Sequence, residues 1–74
     1  MTTDDCVKYI TGWFDFIGKQ QTEQAALNAR EYVHGLIGMA DVAGMIDAHT
    51  AYDLRFKADD AFAVQIKMLK GKYD

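Results

Sequence analysis

The sequence predicts an all-α protein, a small bundle of three helices, or of four if the last segment breaks. Half of its 74 residues are hydrophobic and 26% are charged, a balance typical of chains that fold around a core. The sequence contains no proline, and it lacks the alternating β-branched and aromatic runs that mark strands. Apolar residues instead recur at helical spacing in three long segments. We expect residues 1–74 to form a single helical domain.

The first helix is predicted over residues 3–18. Its apolar half consists of Cys6, Val7, Tyr9, Ile10, Trp13, Phe14, Phe16 and Ile17. Thr3 is the expected N-terminal cap, because a threonine oxygen can accept a hydrogen bond from a free amide of the first turn. Asp4 and Asp5 follow it and favour the positive end of the helix dipole. Gly18 is the expected terminator.

The second helix is predicted over residues 22–43, with Thr22 as its cap and Glu23 in its first turn. Its apolar face is formed by Ala25, Ala26, Ala29, Tyr32, Val33, Leu36, Ile37, Met39, Ala40 and Ala43. Gly44 follows and can adopt the left-handed conformation that closes a helix. Asp47 is then placed to cap the third helix. The sequence therefore predicts a tight turn between the second and third helices.

The third helix is predicted over residues 47–70. Its central stripe consists of Ala51, Leu54, Ala58, Ala61, Phe62, Gln65 and Leu69. The apolar region is widened further by Tyr52, Phe56, Ala63 and Ile66. One partner helix does not cover so broad a region. Either this helix is central and touches both others, or it breaks near Ala58 and Asp59 caps a fourth, shorter helix.

The apolar surface of the first and third helices exceeds what a three-helix core covers. A core-facing helix needs an apolar stripe of about 100° or somewhat more, whereas the first helix offers about half of its circumference. Large apolar surface patches usually mark an interface, so we expect self-association as a homodimer, or a dedicated protein partner. The expected interface residues are Tyr9, Trp13, Phe16, Tyr52 and Phe56. For the first three, an ordinary core position explains the pattern equally well.

The most enzyme-like group is Asp47, His49 and Asp53. His49 and Asp53 are four residues apart on one helical face, where a carboxylate can orient an imidazole as a base or as a metal ligand. The stronger interpretation is structural, with Asp47 as a cap and the other two as an exposed pair. Glycine loops for phosphate, paired cysteines for zinc and a serine elbow are missing from the sequence. We therefore predict no catalytic residue, no metal ion and no cofactor; an enzyme of this size would have to assemble its site between subunits.

Charge and cysteine content narrow the choice of partners. The net charge of −3 argues against a general affinity for nucleic acid, which needs a surplus of basic side chains on one surface. Two helices joined by a glycine turn nevertheless leave a small dimeric DNA-associated transcriptional regulator as the alternative hypothesis. The single cysteine, Cys6, cannot form an internal disulfide, the N-terminus is acidic, and no apolar run is long enough for a membrane span. We therefore expect a cytoplasmic protein that does not insert into a membrane.

The turn from Ala43 to Asp47, followed by Ala51 and Tyr52, is similar to helical hairpins in short accessory proteins of phages and other mobile elements. The resemblance implies a regulator or inhibitor that occupies the surface of a partner, and it carries over no site residue. The sequence thus predicts a small, acidic, non-enzymatic helical protein that acts by protein–protein interaction.

Overall fold

Three helices make up most of the computed structural model, which describes the backbone of residues 2–73 and the side chains of residues 2–71. Helix α1 spans Thr3–Gly18, α2 spans Glu23–Val42 and α3 spans Ala48–Tyr73. Each helix packs against both others, and the molecule is elongated, measuring 44 × 18 × 15 Å. The predicted all-α, three-helix class is confirmed. Met1 and Asp74, the ends of the predicted domain, lie outside the described residues.

The first turn of α1 is capped by Thr2, one position before the predicted cap Thr3. The Thr2 hydroxyl accepts a hydrogen bond from the Asp5 backbone amide at 3.1 Å, and the Asp5 carboxylate accepts one from the Thr2 amide at 3.1 Å. This reciprocal capping box needs an acceptor side chain three residues after the cap, which Thr2 has and Thr3 lacks. The Thr3 hydroxyl instead donates to the Met45 carbonyl at 3.0 Å.

The two helix ends that carry a glycine close in different ways. Helix α1 ends at Gly18 as predicted, but Lys19 after it stays right-handed with φ −100°, so no left-handed glycine closes this helix. Gly44 has φ +73° and closes α2 in the predicted left-handed conformation. The Met45 amide then donates back to the Ala40 carbonyl at 2.9 Å, a bond characteristic of the Schellman motif.

Thr22 and Asp47 cap α2 and α3 as predicted. The Thr22 hydroxyl accepts a hydrogen bond from the Ala25 amide at 3.0 Å. The Asp47 carboxylate accepts one from the Thr50 amide at 2.7 Å. This hydrogen bond holds the pKa of the Asp47 carboxyl below its ordinary value, because it stabilises the ionised form.

Helix α3 runs unbroken through Ala58 and continues to Tyr73, beyond the predicted end at residue 70. It contacts both α1 and α2, and Ala58 is fully buried between them. Of the two alternatives, the central helix is therefore correct and the fourth helix capped by Asp59 is wrong. Asp59 instead contacts α2 through its side chain.

The core lies where the three helices meet. Its buried apolar residues are Cys6, Ile10, Ile17, Ala26, Ala29, Val33, Ile37, Ala40, Ile46, Ala51, Leu54, Ala58 and Leu69. The many alanines on α2 and α3 allow close packing, because helix separation depends on side-chain size at the contact. Small core residues also leave larger apolar side chains to the margins of the bundle, which is where the aromatic rings lie.

Two short segments connect the helices, and each segment is hydrogen-bonded to the helix that it does not join. Gln65 of α3 is buried, and its side-chain amide donates to the Gln20 carbonyl in the α1–α2 connection. Thr3 of α1 donates to the Met45 carbonyl in the α2–α3 connection. Both connections are therefore tied to the rest of the bundle.

Two further observations concern the surroundings of the protein. Cys6 is buried and carries no disulfide, so it serves as a small apolar core residue. Within residues 2–73, no helix combines the length and the apolar composition that crossing a bilayer requires.

Candidate protein-interaction surface

Four aromatic side chains meet where α1 packs against α2. Trp13 lies at the centre, and its ring centroid is 6.3 Å from that of Tyr9, 5.2 Å from that of Phe16 and 4.8 Å from that of Tyr32. The rings of Tyr9 and Phe16 stand at 73° and 85° to the indole plane, the edge-to-face arrangement that aromatic pairs favour. We call these four residues the aromatic surface.

The outer side of the aromatic surface is open to solvent. Tyr9 is 55% exposed, Tyr32 is 49% exposed and Phe16 is 41% exposed. Trp13 is half-buried and packs against the core. Trp13 therefore lies partly in the core, whereas its three aromatic neighbours lie largely outside it.

An open groove of about 510 Å³ lies beside Trp13, between α1 and α2. It is lined by Trp13, Phe16, Gln20, Ala25, Asn28, Ala29 and Tyr32. Aromatic rings form its walls, alanines leave room between them, and none of these described lining residues is charged. Such a lining resembles the centre of a protein interface, where aromatic residues are enriched and charged residues are depleted.

Two polar side chains of α2, Arg30 and His34, point away from the aromatic surface. Arg30 and His34 both bind a residue of α3, so they lie on the opposite flank of α2. Met39 is seven residues from Tyr32, which places both on one face of the helix, and both are exposed. The uncharged surface therefore extends along α2 beyond the aromatic rings.

Tyr52 and Phe56, the other two predicted interface residues, lie on a different face. They are 71% and 66% exposed. Both precede Asp59 at helical spacing on α3, so they share its side of the helix, next to the contact between α2 and α3. The structure brings Tyr9, Trp13 and Phe16 together with Tyr32. Tyr52 and Phe56 form a second, separate apolar patch.

The structure does not bring Asp47, His49 and Asp53 together as one site. Asp47 caps α3, and the Asp53 carboxylate lies 3.0 Å from the Lys57 ammonium, one helical turn along. His49 is exposed beside them. The partner of Asp53 is thus Lys57 and not the predicted His49. Among the residues that the structure describes, no group of three or more His, Cys, Asp or Glu side chains could hold a metal ion.

A polar cluster that the sequence did not predict joins α2 to α3. One oxygen of Asp59 accepts hydrogen bonds from Arg30 Nε at 2.7 Å and from His34 Nε2 at 2.8 Å. Since a carboxylate has no hydrogen to donate, His34 Nε2 carries the proton in this contact. The Arg30 guanidinium also lies 3.4 Å from the Glu31 carboxylate and 5.2 Å above the Phe62 ring, in a cation–π contact.

The contacts of this cluster favour the ionised forms of Asp59 and Arg30. Partial burial alone would raise the pKa of the Asp59 carboxyl, but the hydrogen bonds from Arg30 and His34 outweigh that effect and hold the pKa below its ordinary value. The hydrogen bond that Arg30 donates to Asp59 also raises the pKa of the Arg30 guanidinium. The three side chains satisfy one another, so the cluster acts as a clamp between two helices.

Comparison of the chain with protein-family models, with curated proteins and with solved structures gives no significant match. Its function is therefore inferred from the surfaces and contacts described above.

Proposed function

We propose that this protein acts by protein–protein interaction through the aromatic surface, by self-association or by binding a partner protein, and not by catalysis. The observation that carries the proposal is the exposure of Tyr9, Phe16 and Tyr32 around a half-buried Trp13. Contiguous exposed apolar surface of this kind usually marks an interface. Aromatic side chains are also among those that contribute most to binding energy when a partner buries them.

The aromatic surface is too small to hold a partner by itself. A buried aromatic side chain removes about 150–250 Å² from water, so covering the exposed half of three rings removes roughly 300 Å². At about 25 cal/mol per Å², this burial contributes about 7 kcal/mol. Association itself costs on the order of 4–15 kcal/mol, so the rings must act together with the adjacent uncharged surface of α2.

Other features support a non-enzymatic role. The polar residues most similar to a catalytic group have structural partners: Asp47 caps α3, Asp53 pairs with Lys57, and Asp59 clamps α2 to α3. The hairpin turn, with its similarity to phage and mobile-element accessory proteins, favours a regulator or inhibitor that covers a partner's surface. The buried free thiol of Cys6 suits a reducing compartment, and we place the protein in the cytoplasm.

Photo-crosslinking in cells of the source organism tests this proposal. The photoreactive analogue benzoylphenylalanine replaces Phe16 in one variant and Tyr9 in a second. Both side chains are exposed, so the fold should tolerate the change, which circular dichroism can verify. Illumination should yield covalent adducts with protein, either with a second copy or with another chain.

The matched control carries the same photoreactive residue in place of Asp60, on the exposed side of α3. This variant should give few adducts, because Asp60 lies outside the aromatic surface. Absence of adducts from positions 9 and 16, or equal yields from all three positions, would overturn the proposed function.

A further inference from the structure

We propose that the occupant of the aromatic surface is a second copy of this chain, whose α1 packs antiparallel to the first across a two-fold axis near Gly12. This inference rests on the proposed function and deepens it by naming the partner. Two observations carry it: the spacing of exposed residues on α1 and the order of their charges.

The outer side of α1 carries a stripe of exposed residues at the spacing of a helix–helix seam. The residues of this stripe, which we call the α1 seam, are Asp5, Tyr9, Gly12, Phe16 and, directly after the last residue of the helix, Lys19. Successive members are separated by four, three, four and three residues, the spacing that keeps side chains facing a neighbouring helix. Two aromatic rings of the aromatic surface are thus part of a continuous seam.

The α1 seam is complementary to itself when two copies run antiparallel. Gly12 lies midway between Asp5 and Lys19, so a two-fold axis at Gly12 sets Asp5 of one copy against Lys19 of the other. The same axis sets Tyr9 against Phe16. Because a two-fold interface repeats every contact, the Asp5–Lys19 salt bridge and the Tyr9–Phe16 contact each form twice.

A second charged pair on α1 follows the same symmetry. Lys8 and Asp15 are exposed on the flank of the seam, at nearly equal distances on either side of Gly12. Antiparallel pairing brings Lys8 of one copy near Asp15 of the other. A parallel arrangement would instead set Asp5 against Asp5 and Lys19 against Lys19 in the seam, which is unfavourable. The charge order of α1 therefore selects the antiparallel arrangement.

Gly12, at the midpoint of the α1 seam, is compatible with a close approach of a second helix at this place. A glycine inside a helix costs about 1 kcal/mol relative to alanine, and a methyl group added here would meet nothing within 4 Å. The monomer therefore has no steric requirement for glycine at position 12. At the crossing point of two helices, the missing side chain lets the two backbones approach closely.

The interface needs more surface than the α1 seam alone provides. The seam runs from Asp5 to Lys19, about 21 Å at 1.5 Å per residue, which is roughly half of the 44 Å length of the molecule. A standard interface takes about 800 Å² from each partner, so the adjacent surface of α2 must contribute as well. The aromatic surface and the α1 seam lie along the long dimension of the molecule, because the helices themselves set the length of the bundle.

Charge reversal with purified protein tests the inference, with the association measured by sedimentation velocity from low to high micromolar concentration. Lys8→Glu alone or Asp15→Lys alone should raise the dimer dissociation constant about tenfold at low salt, because each change creates two like-charge contacts. The double variant restores opposite charges, and its dissociation constant should return to within about threefold of the wild-type value. Neither position touches the core, so circular dichroism should show an unchanged fold.

The matched controls are Asp60→Lys and Lys67→Glu, which make the same charge changes on exposed positions of α3. They should leave the dissociation constant unchanged. In addition, Gly12→Gln should raise the helicity of the dilute monomer and abolish the dimer, because a long side chain would separate the two α1 helices.

A wild-type protein that remains monomeric at high micromolar concentration would overturn the inference, as would a double variant that does not recover. In either case, crosslinks from position 16 to a different protein would leave the proposed function in place. The two proposals therefore fail on different measurements.

Discussion

Replacing Asp59 with alanine removes the acceptor that Arg30 and His34 share between α2 and α3. A hydrogen bond to a charged group contributes about 1.5–3 kcal/mol. The Asp59 side chain is 48% exposed, so solvent screening reduces each of the two bonds to about 1 kcal/mol. Alanine also favours the helix by roughly 0.5 kcal/mol over aspartate. We expect the free energy of unfolding to fall by about 1.5 kcal/mol, and Tm by about 6–12 °C.

Urea unfolding at neutral pH, followed by circular dichroism at low protein concentration, measures this loss. The matched control is Asp60→Ala, one residue along α3, which gives the same gain in helix propensity. Asp60 makes no ion pair with the described side chains, so its replacement should leave stability unchanged or slightly higher. Equal losses at positions 59 and 60 would refute the clamp between α2 and α3.

The effect of Asp59→Ala should also depend on pH. Arg30 and His34 hold the pKa of Asp59 below that of the unfolded chain, so its carboxylate contributes full stability well above pH 4. That contribution is lost as the pH falls through the folded-state pKa. The unfolding curves of the wild type and the variant should therefore converge in strongly acidic solution. A constant difference across the whole pH range would contradict the cause assigned to the shift.

Two further predictions concern the core and the helix ends, and urea unfolding checks both. Ile37→Ala should lower the free energy of unfolding by about 2–4 kcal/mol because Ile37 is fully buried. Met39→Ala should change the free energy of unfolding little because Met39 is exposed. Similar losses from the two variants would place Ile37 outside the core. Gly44→Ala should lower the free energy of unfolding by about 1 kcal/mol, because φ +73° is strained for a residue with a Cβ. Gly35→Ala should instead raise the free energy of unfolding by up to about 1 kcal/mol, because it improves helix propensity in open space. A neutral Gly44→Ala would show that the turn relaxes.

The helix boundaries could be predicted because their signals are local. Thr22, Gly44 and Asp47 each act through backbone atoms a few residues away, and all three take the predicted roles. The predicted bounds of α1 are correct, but the cap is Thr2 and not the adjacent Thr3. The deciding signal is also local: Asp5 follows Thr2 by three residues and completes a capping box.

The interhelical contacts could not be predicted from periodicity, because a helical wheel gives the direction of a side chain but not what lies opposite. Arg30 and His34 share a polar face in the sequence, yet their acceptor Asp59 is determined by how α2 lies along α3. Likewise, Trp13 is identifiable as apolar, but its contact with Tyr32 depends on the register of α1 against α2. The sequence therefore identifies the aromatic residues without showing which remain exposed.

The side chains of Gln65 and Thr3 make each helical hairpin dependent on the remaining helix. If α3 frays, the α1–α2 connection loses the donor to the Gln20 carbonyl, and if α1 loosens, the α2–α3 connection loses the donor to the Met45 carbonyl. Partial unfolding of one helix therefore weakens a junction between the other two. We expect all three helices to unfold in a single cooperative step, so that the hydrogen-bonded amides of the helix interiors exchange only when the whole chain unfolds.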